Sequence, residues 1–141
     1  MVDVNLEWLR SANGILKILA FIVSVISLGL TYGYGIVTTS QTTINFCQII
    51  IPTTAFILFY FIISYAFDEN KPGKLFVMEM CFDVFQAVFN IATGSLMVSG
   101  YNNYSLKPFL LNADGIVAAG SMVLILGGII LVDAALLFKN R

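Results

Sequence analysis

Glu79, Asp83, Gln86 and Asn90 follow one another at offsets of four, three and four residues within "FVMEMCFDVFQAVFNIATG". At about 100° per residue, a helix gathers all four within roughly a 60° arc. Two carboxylates and two amides on one helix face could bind a cation, relay a proton or pair with a buried base. Two further ionisable residues, Lys17 and Asp133, also stand inside apolar runs. Such groups are costly in an apolar segment unless they turn toward a partner or a cavity. The three acids outnumber the one lysine, which leaves negative charge to be met by a proton, another donor, water or a cation.

Catalytic chemistry is poorly supplied. The chain has no His, which removes the commonest metal ligand and proton shuttle. Its two cysteines form neither a zinc pattern nor a disulfide framework. No phosphate-binding loop is present, and carboxylates at helical spacing do not make an intramembrane hydrolase. No catalytic residue, metal site or cofactor is expected.

The elements that must carry these side chains are membrane spans. Of 141 residues, 59% are hydrophobic and only 11% charged, and the mean hydropathy is +0.92. Soluble domains sit near 45–50% apolar and about 25% charged, and a chain this short cannot bury such an excess in a water-soluble core. A net charge of −1 gives no reason to expect nucleic acid. Four apolar runs, near residues 15–37, 45–67, 75–100 and 115–139, reach the roughly 20 residues that a spanning helix needs. The fold expected is an all-α, four-helix transmembrane bundle with short loops, occupying 1–141 as one domain. The first run follows an acidic stretch and lacks an "A-x-A" site, so it reads as a span rather than a secretory signal.

Arg10, Lys17, Lys71, Lys74, Lys139 and Arg141 lie beside the two termini and the second loop, and only Lys107 lies on the other side. The positive-inside rule then places both termini in the cytosol. Asn103-Tyr104-Ser105 is a glycosylation sequon and falls in the third, lumenal loop. On this topology Cys47 and Cys81 lie toward opposite faces of the membrane, too far apart to bridge.

Polar residues on the other spans suggest partners for the stripe. The first span carries Lys17, Ser24, Ser27 and Thr31 on nearly one face, and the second offers Thr53, Tyr60 and Ser64. Lys17 has two options. Its stem can snorkel to the cytosolic headgroups, or it can turn inward and tie the helices bearing Glu79, Asp83 and Asp133 together. The stripe itself reads either as a structural network fixing helix register or as an ion or proton pathway. Small residues imply close packing: Gly120, Gly127 and Ala134 recur every seven residues, and Gly29 and Gly33 form a small-xxx-small pair.

The stretch Thr31-Tyr32-Gly33-Tyr34-Gly35 resembles a potassium-channel filter by one letter. It ends a full span, however, and about ten residues before the next there is no room for a pore helix. Tyr32 and Tyr34 suit an interfacial aromatic belt, and Gly33 and Gly35 let the helix end.

Taken together, the chain resembles the MARVEL-domain proteins, four-span proteins of vesicles and cell junctions related to the myelin-and-lymphocyte protein, the synaptophysins and occludin. "LRSANGILKILAFIVSVISLGL" is similar to the family's first span, with a basic residue just inside. "FVMEMCFDVFQAVFNIATG" resembles its third, with Glu79 and Asp83 four apart, and "GSMVLILGGIILVDAALLF" its fourth, with Asp133 near the cytosolic end. Several members carry a disulfide in a lumenal loop, which this chain cannot form. Claudin-like tetraspans fit less well, because their long Trp-containing first loop is missing.

The resemblance implies a non-enzymatic protein of the plasma membrane or of vesicles, organising membranes, traffic or junctions. Its partners would be membrane lipids and other membrane proteins, or further copies of itself as a homo-oligomer. The alternative is an ion or proton channel, or an accessory subunit of a larger membrane complex.

Overall fold

The computed structural model describes residues 4, 6–36, 40–67, 72–102 and 113–139. These form α1 (Leu6–Arg10), α2 (Ala12–Tyr34), α3 (Gln41–Phe67), α4 (Pro72–Asn102) and α5 (Ala113–Lys139), with no strand among them. The last four are long and apolar enough to cross a membrane. Asn103, Lys71, Lys107 and Arg141 lie outside the described residues, as do the side chains of 72–76.

The short helix α1 was not expected from the sequence. Ser11 creates it as a separate element. Its hydroxyl donates to the Trp8 carbonyl at 2.6 Å and accepts from the Gly14 amide at 3.1 Å, capping α2 while turning the chain back. Gly14 completes the turn, since a Cβ there would strike the Trp8 carbonyl.

At the other end of α2 the "TYGYG" stretch remains helical to Tyr34. Gly35 then stops the helix with φ 86°, and its amide donates to the Thr31 carbonyl at 2.8 Å. Positive φ favours glycine, so the second glycine of the stretch is the stop. Tyr32 faces outward, while the Tyr34 ring lies over Gly115 of α5, 2.5 Å from where a Cβ would stand.

Pro52 sits inside α3. Its ring denies the Gln48 carbonyl its usual donor. The next two residues turn their hydroxyls back onto the helix, Thr53 to the Ile49 carbonyl at 2.6 Å and Thr54 to within 2.9 Å of the Ile50 carbonyl.

The helices pack α4 against α5 and α5 against α2 most extensively, and α3 closes the bundle more lightly. Glycine sets the α4–α5 separation. A Cβ on Gly94 would come within 2.9 Å of both the Gly120 carbonyl and the Leu124 amide, and one on Gly127 would meet Ile91 at 2.8 Å. Gly120 faces Val98 in the same way, and Ala134 is buried. Gly29 and Gly33 differ: both are exposed, with nothing inside the bundle near the position of a Cβ. They leave α2 a smooth outward ridge and take no part in intramolecular packing.

The interior is layered. At the end where α2 begins and α5 finishes lie the charged residues. Next comes an apolar layer of Ala20, Val23, Leu58, Ala87, Leu126 and Ile130. At the far end, Cys47, Ile51, Met97, Ala119 and Val123 form a second apolar layer, flanked by Leu28, Leu30, Ile36 and Phe46.

Candidate functional site

Lys17 turns inward. Its side chain is 1% exposed, and Glu79, Asp83 and Asp133 are 2–3% exposed. The ammonium donates to Asp83 Oδ1 at 2.7 Å and to Asp133 Oδ2 at 2.6 Å, and lies 3.1 Å from Glu79 Oε1. One side chain of α2 thereby holds two of α4 and one of α5. Spacing explains the arrangement on α4: Glu79 and Asp83 are one turn apart, so both reach the same point on the facing helix. Lys17 is early in α2 and Asp133 late in α5, which brings them level when the helices run antiparallel.

The remaining spanning helix, α3, joins through residues outside the expected set. The Tyr65 hydroxyl donates to Glu79 Oε2, and the Phe61 ring centroid stands 5.3 Å from the Lys17 nitrogen, within cation–π range. Trp8 of α1 stacks on Tyr65, with centroids 5.0 Å apart and planes 15° from parallel. The Ser11 turn therefore has a use: it folds α1 over the mouth of the charged cluster.

On α3, the sequence points to Thr53, Tyr60 and Ser64. The structure turns Thr53 and Tyr60 outward and uses Thr54, Phe61 and Tyr65 instead. Both triplets have offsets of seven and four, so periodicity cannot separate two registers one residue apart. A threonine pair and two tyrosines made both look polar.

Deeper in the bundle, Gln86 and Asn90 meet Thr54. The Thr54 hydroxyl is 2.6 Å from Gln86 Oε1 and accepts from Asn90 Nδ2 at 2.9 Å, and the same Nδ2 is 2.7 Å from the Gln86 carbonyl. This node ties α3 to α4 where their apolar contact is light. Ser24 and Ser27 are buried too, but their hydroxyls donate to the Phe21 and Val23 carbonyls of their own helix at 2.7 and 2.8 Å. Their role inside the bundle is small size, not cross-linking. Thr31 and Thr93 follow, buried and with hydroxyls that meet no partner among the described residues. The second apolar layer packs at this end of the bundle.

The charged cluster has the composition of a small cation site, with one oxygen each from Glu79, Asp83 and Asp133 lying within 4.8 Å of one another. Its centre is already taken by the Lys17 ammonium. Such a group does part of what a structural cation would: it offsets charge on the facing carboxylates and fixes the helices that bear them. Removing one partner of a buried pair is strongly destabilising, because a charge is then left without compensation. Cys47 and Cys81 are both free, the first buried and the second exposed.

No curated protein and no solved structure matches the chain. A family model described as MARVEL, membrane-associating domain, matches residues 9–136, a stretch that takes in α2 to α5 almost entire and all four members of the charged cluster. The chain therefore belongs to the MARVEL family of membrane-associating domains.

Proposed function

We propose that the protein is a non-enzymatic organiser of membranes that acts through its lipid-facing walls, with lateral partners in vesicle traffic or at cell junctions. One observation carries this reading. The buried ionisable side chains described among the four spans converge on a single interior cluster, while large apolar side chains cover the outside, including Ile22, Ile49, Phe56, Phe85, Ile125 and Leu131. A wall of that kind meets lipid tails or other helices. The Lys17 cluster acts as a clasp that keeps the wall in shape.

The channel alternative is less well supported for a single bundle. Beyond the clasp, the buried polar residues Thr54, Gln86, Asn90, Thr31 and Thr93 alternate with two apolar layers, one around Leu58 and Leu126 and one around Ile51, Met97 and Val123. Both termini are assigned to the cytosol, on the distribution of lysine and arginine.

The test is to place leucine at Gly29 and Gly33 on the outward ridge of α2 and follow lateral distribution by single-molecule imaging in cell membranes. The variant keeps the parent's thermal stability and changes its clustering. Selective ion currents from purified parent protein in planar bilayers would overturn the reading in favour of a channel.

A further inference from the structure

The clasp is short of donors. The Lys17 ammonium has three hydrogens and three carboxylates around it, at 2.7, 2.6 and 3.1 Å. Tyr65 supplies Glu79 Oε2, and Glu79 Oε1 keeps an ion-pair contact with the ammonium although it accepts no hydrogen bond among the described residues. Asp83 and Asp133 each have one oxygen with neither. Lys17 takes Oδ1 of the first and Oδ2 of the second, and Asp83 Oδ2 and Asp133 Oδ1 are buried with no partner among the described residues. Both side chains are at least nine-tenths buried.

Charge and hydrogen bonding fail together here. Three carboxylates and one ammonium, all ionised, leave two negative charges inside a membrane bundle. An uncompensated ion in such a medium is strongly disfavoured. A second cation would have to enter beside an ammonium that already occupies the centre of the oxygens. A proton meets no such obstacle: it halves the uncompensated charge and supplies the missing donor, because a carboxylic acid donates to a neighbouring carboxylate.

We propose that Asp83 and Asp133 form a proton-binding site, a carboxylic acid–carboxylate pair sharing one proton beside Lys17. The proton is taken from solvent and forms an O–H bond at Asp83 Oδ2 or Asp133 Oδ1. It is donated to the other acid, directly or through one water, and no other bond is made or broken. The cluster's net charge falls from two negatives to one. The groups facing the pair are Lys17 from α2, Tyr65 and the Phe61 ring from α3, and Glu79 from α4. The proposal rests on the clasp reading above and adds a bound proton to it.

Infrared spectroscopy of the purified protein in lipid nanodiscs near neutral pH tests it. The expected spectrum contains a protonated-carboxyl C=O band that shifts on exchange into heavy water and again when the aspartates carry ¹³C carboxyls. The isotope arm needs no substitution, so it cannot be confused with misfolding. Asp83→Asn and Asp133→Asn, checked for native helix content, each lose the band, since an asparagine amide supplies the donor in place of the proton. A folded parent with no such band, or a band that ignores the aspartate label, overturns the proposal. So does a missing band accompanied by stabilisation with added sodium or calcium, which would make the site one for a metal ion. Failure of the clasp itself reads out elsewhere, as absence of energetic coupling between Lys17 and the acids, and leaves the infrared result independent.

Discussion

Lys17 concentrates the energetics of this molecule in one side chain. It is the fixed point of α2, α4 and α5, and its removal strands three carboxylates. In soluble proteins, breaking one side of a buried pair costs about 3–5 kcal/mol, while polar contacts between membrane helices average below about 1 kcal/mol. A hub serving three partners belongs between these limits, so Lys17→Met is expected to cost about 2 kcal/mol. Reversible unfolding in mixed micelles measures this. The loss shrinks by at least half in an Asp83→Asn or Asp133→Asn background, because less charge is then left stranded. Double-mutant cycles with no coupling would show that the geometry carries no energy. The inward turn of Lys17 was one of two options open from the sequence, for a physical reason: the snorkelling and buried conformers share one position in the chain and differ only in what stands opposite.

Among the elements, α4 and α5 form the rigid half of the bundle. Gly94, Gly120 and Gly127 let the two backbones approach to distances that a Cβ would forbid. Gly94→Val and Gly120→Val should each cost about 1–3 kcal/mol by overpacking, measured in the same unfolding assay. Gly29→Ala should stay within about 0.5 kcal/mol of the parent, as is usual at an exposed site. Equal effects at all three positions would mean that the α4–α5 approach is not the constraint. The heptad spacing of Gly120, Gly127 and Ala134 was visible in the sequence, whereas Gly94 on the facing helix was not singled out. Gly29 and Gly33 show the converse: an equally good small-residue spacing, yet nothing inside the bundle approaches it. Periodicity reports a face, and it does not say whether the face looks in or out.

At the scale of the whole molecule, the remaining question is which way round the bundle sits. Six of the seven cationic residues flank the termini or the second loop, and the charged clasp lies at that same end of the helices. Both termini are expected in the cytosol. A C-terminal epitope tag should then resist protease added to intact cells and be digested once the membrane is permeabilised. Digestion in intact cells would reverse the assignment. On this orientation the α1 helix, with Trp8 over Tyr65, covers the cytosolic mouth of the clasp.

The amino-acid order alone determined that the chain is apolar enough for four spans, which acids share a face of α4, and that the ionisable residues in the spans are few and unequal in sign. These follow from composition and from the fixed angle per helical residue, which no packing can alter. The helix ends shifted by a few residues, and α1 emerged only with the Ser11 turn, because capping depends on local backbone geometry. Tertiary structure decided the rest. It chose Thr54, Phe61 and Tyr65 over an equally spaced set one residue earlier. It turned Lys17 inward, and it left two aspartate oxygens facing no donor among the described residues. Those outcomes depend on the rotation of each helix about its own axis, which is set by contacts with the other helices and is written in no single segment.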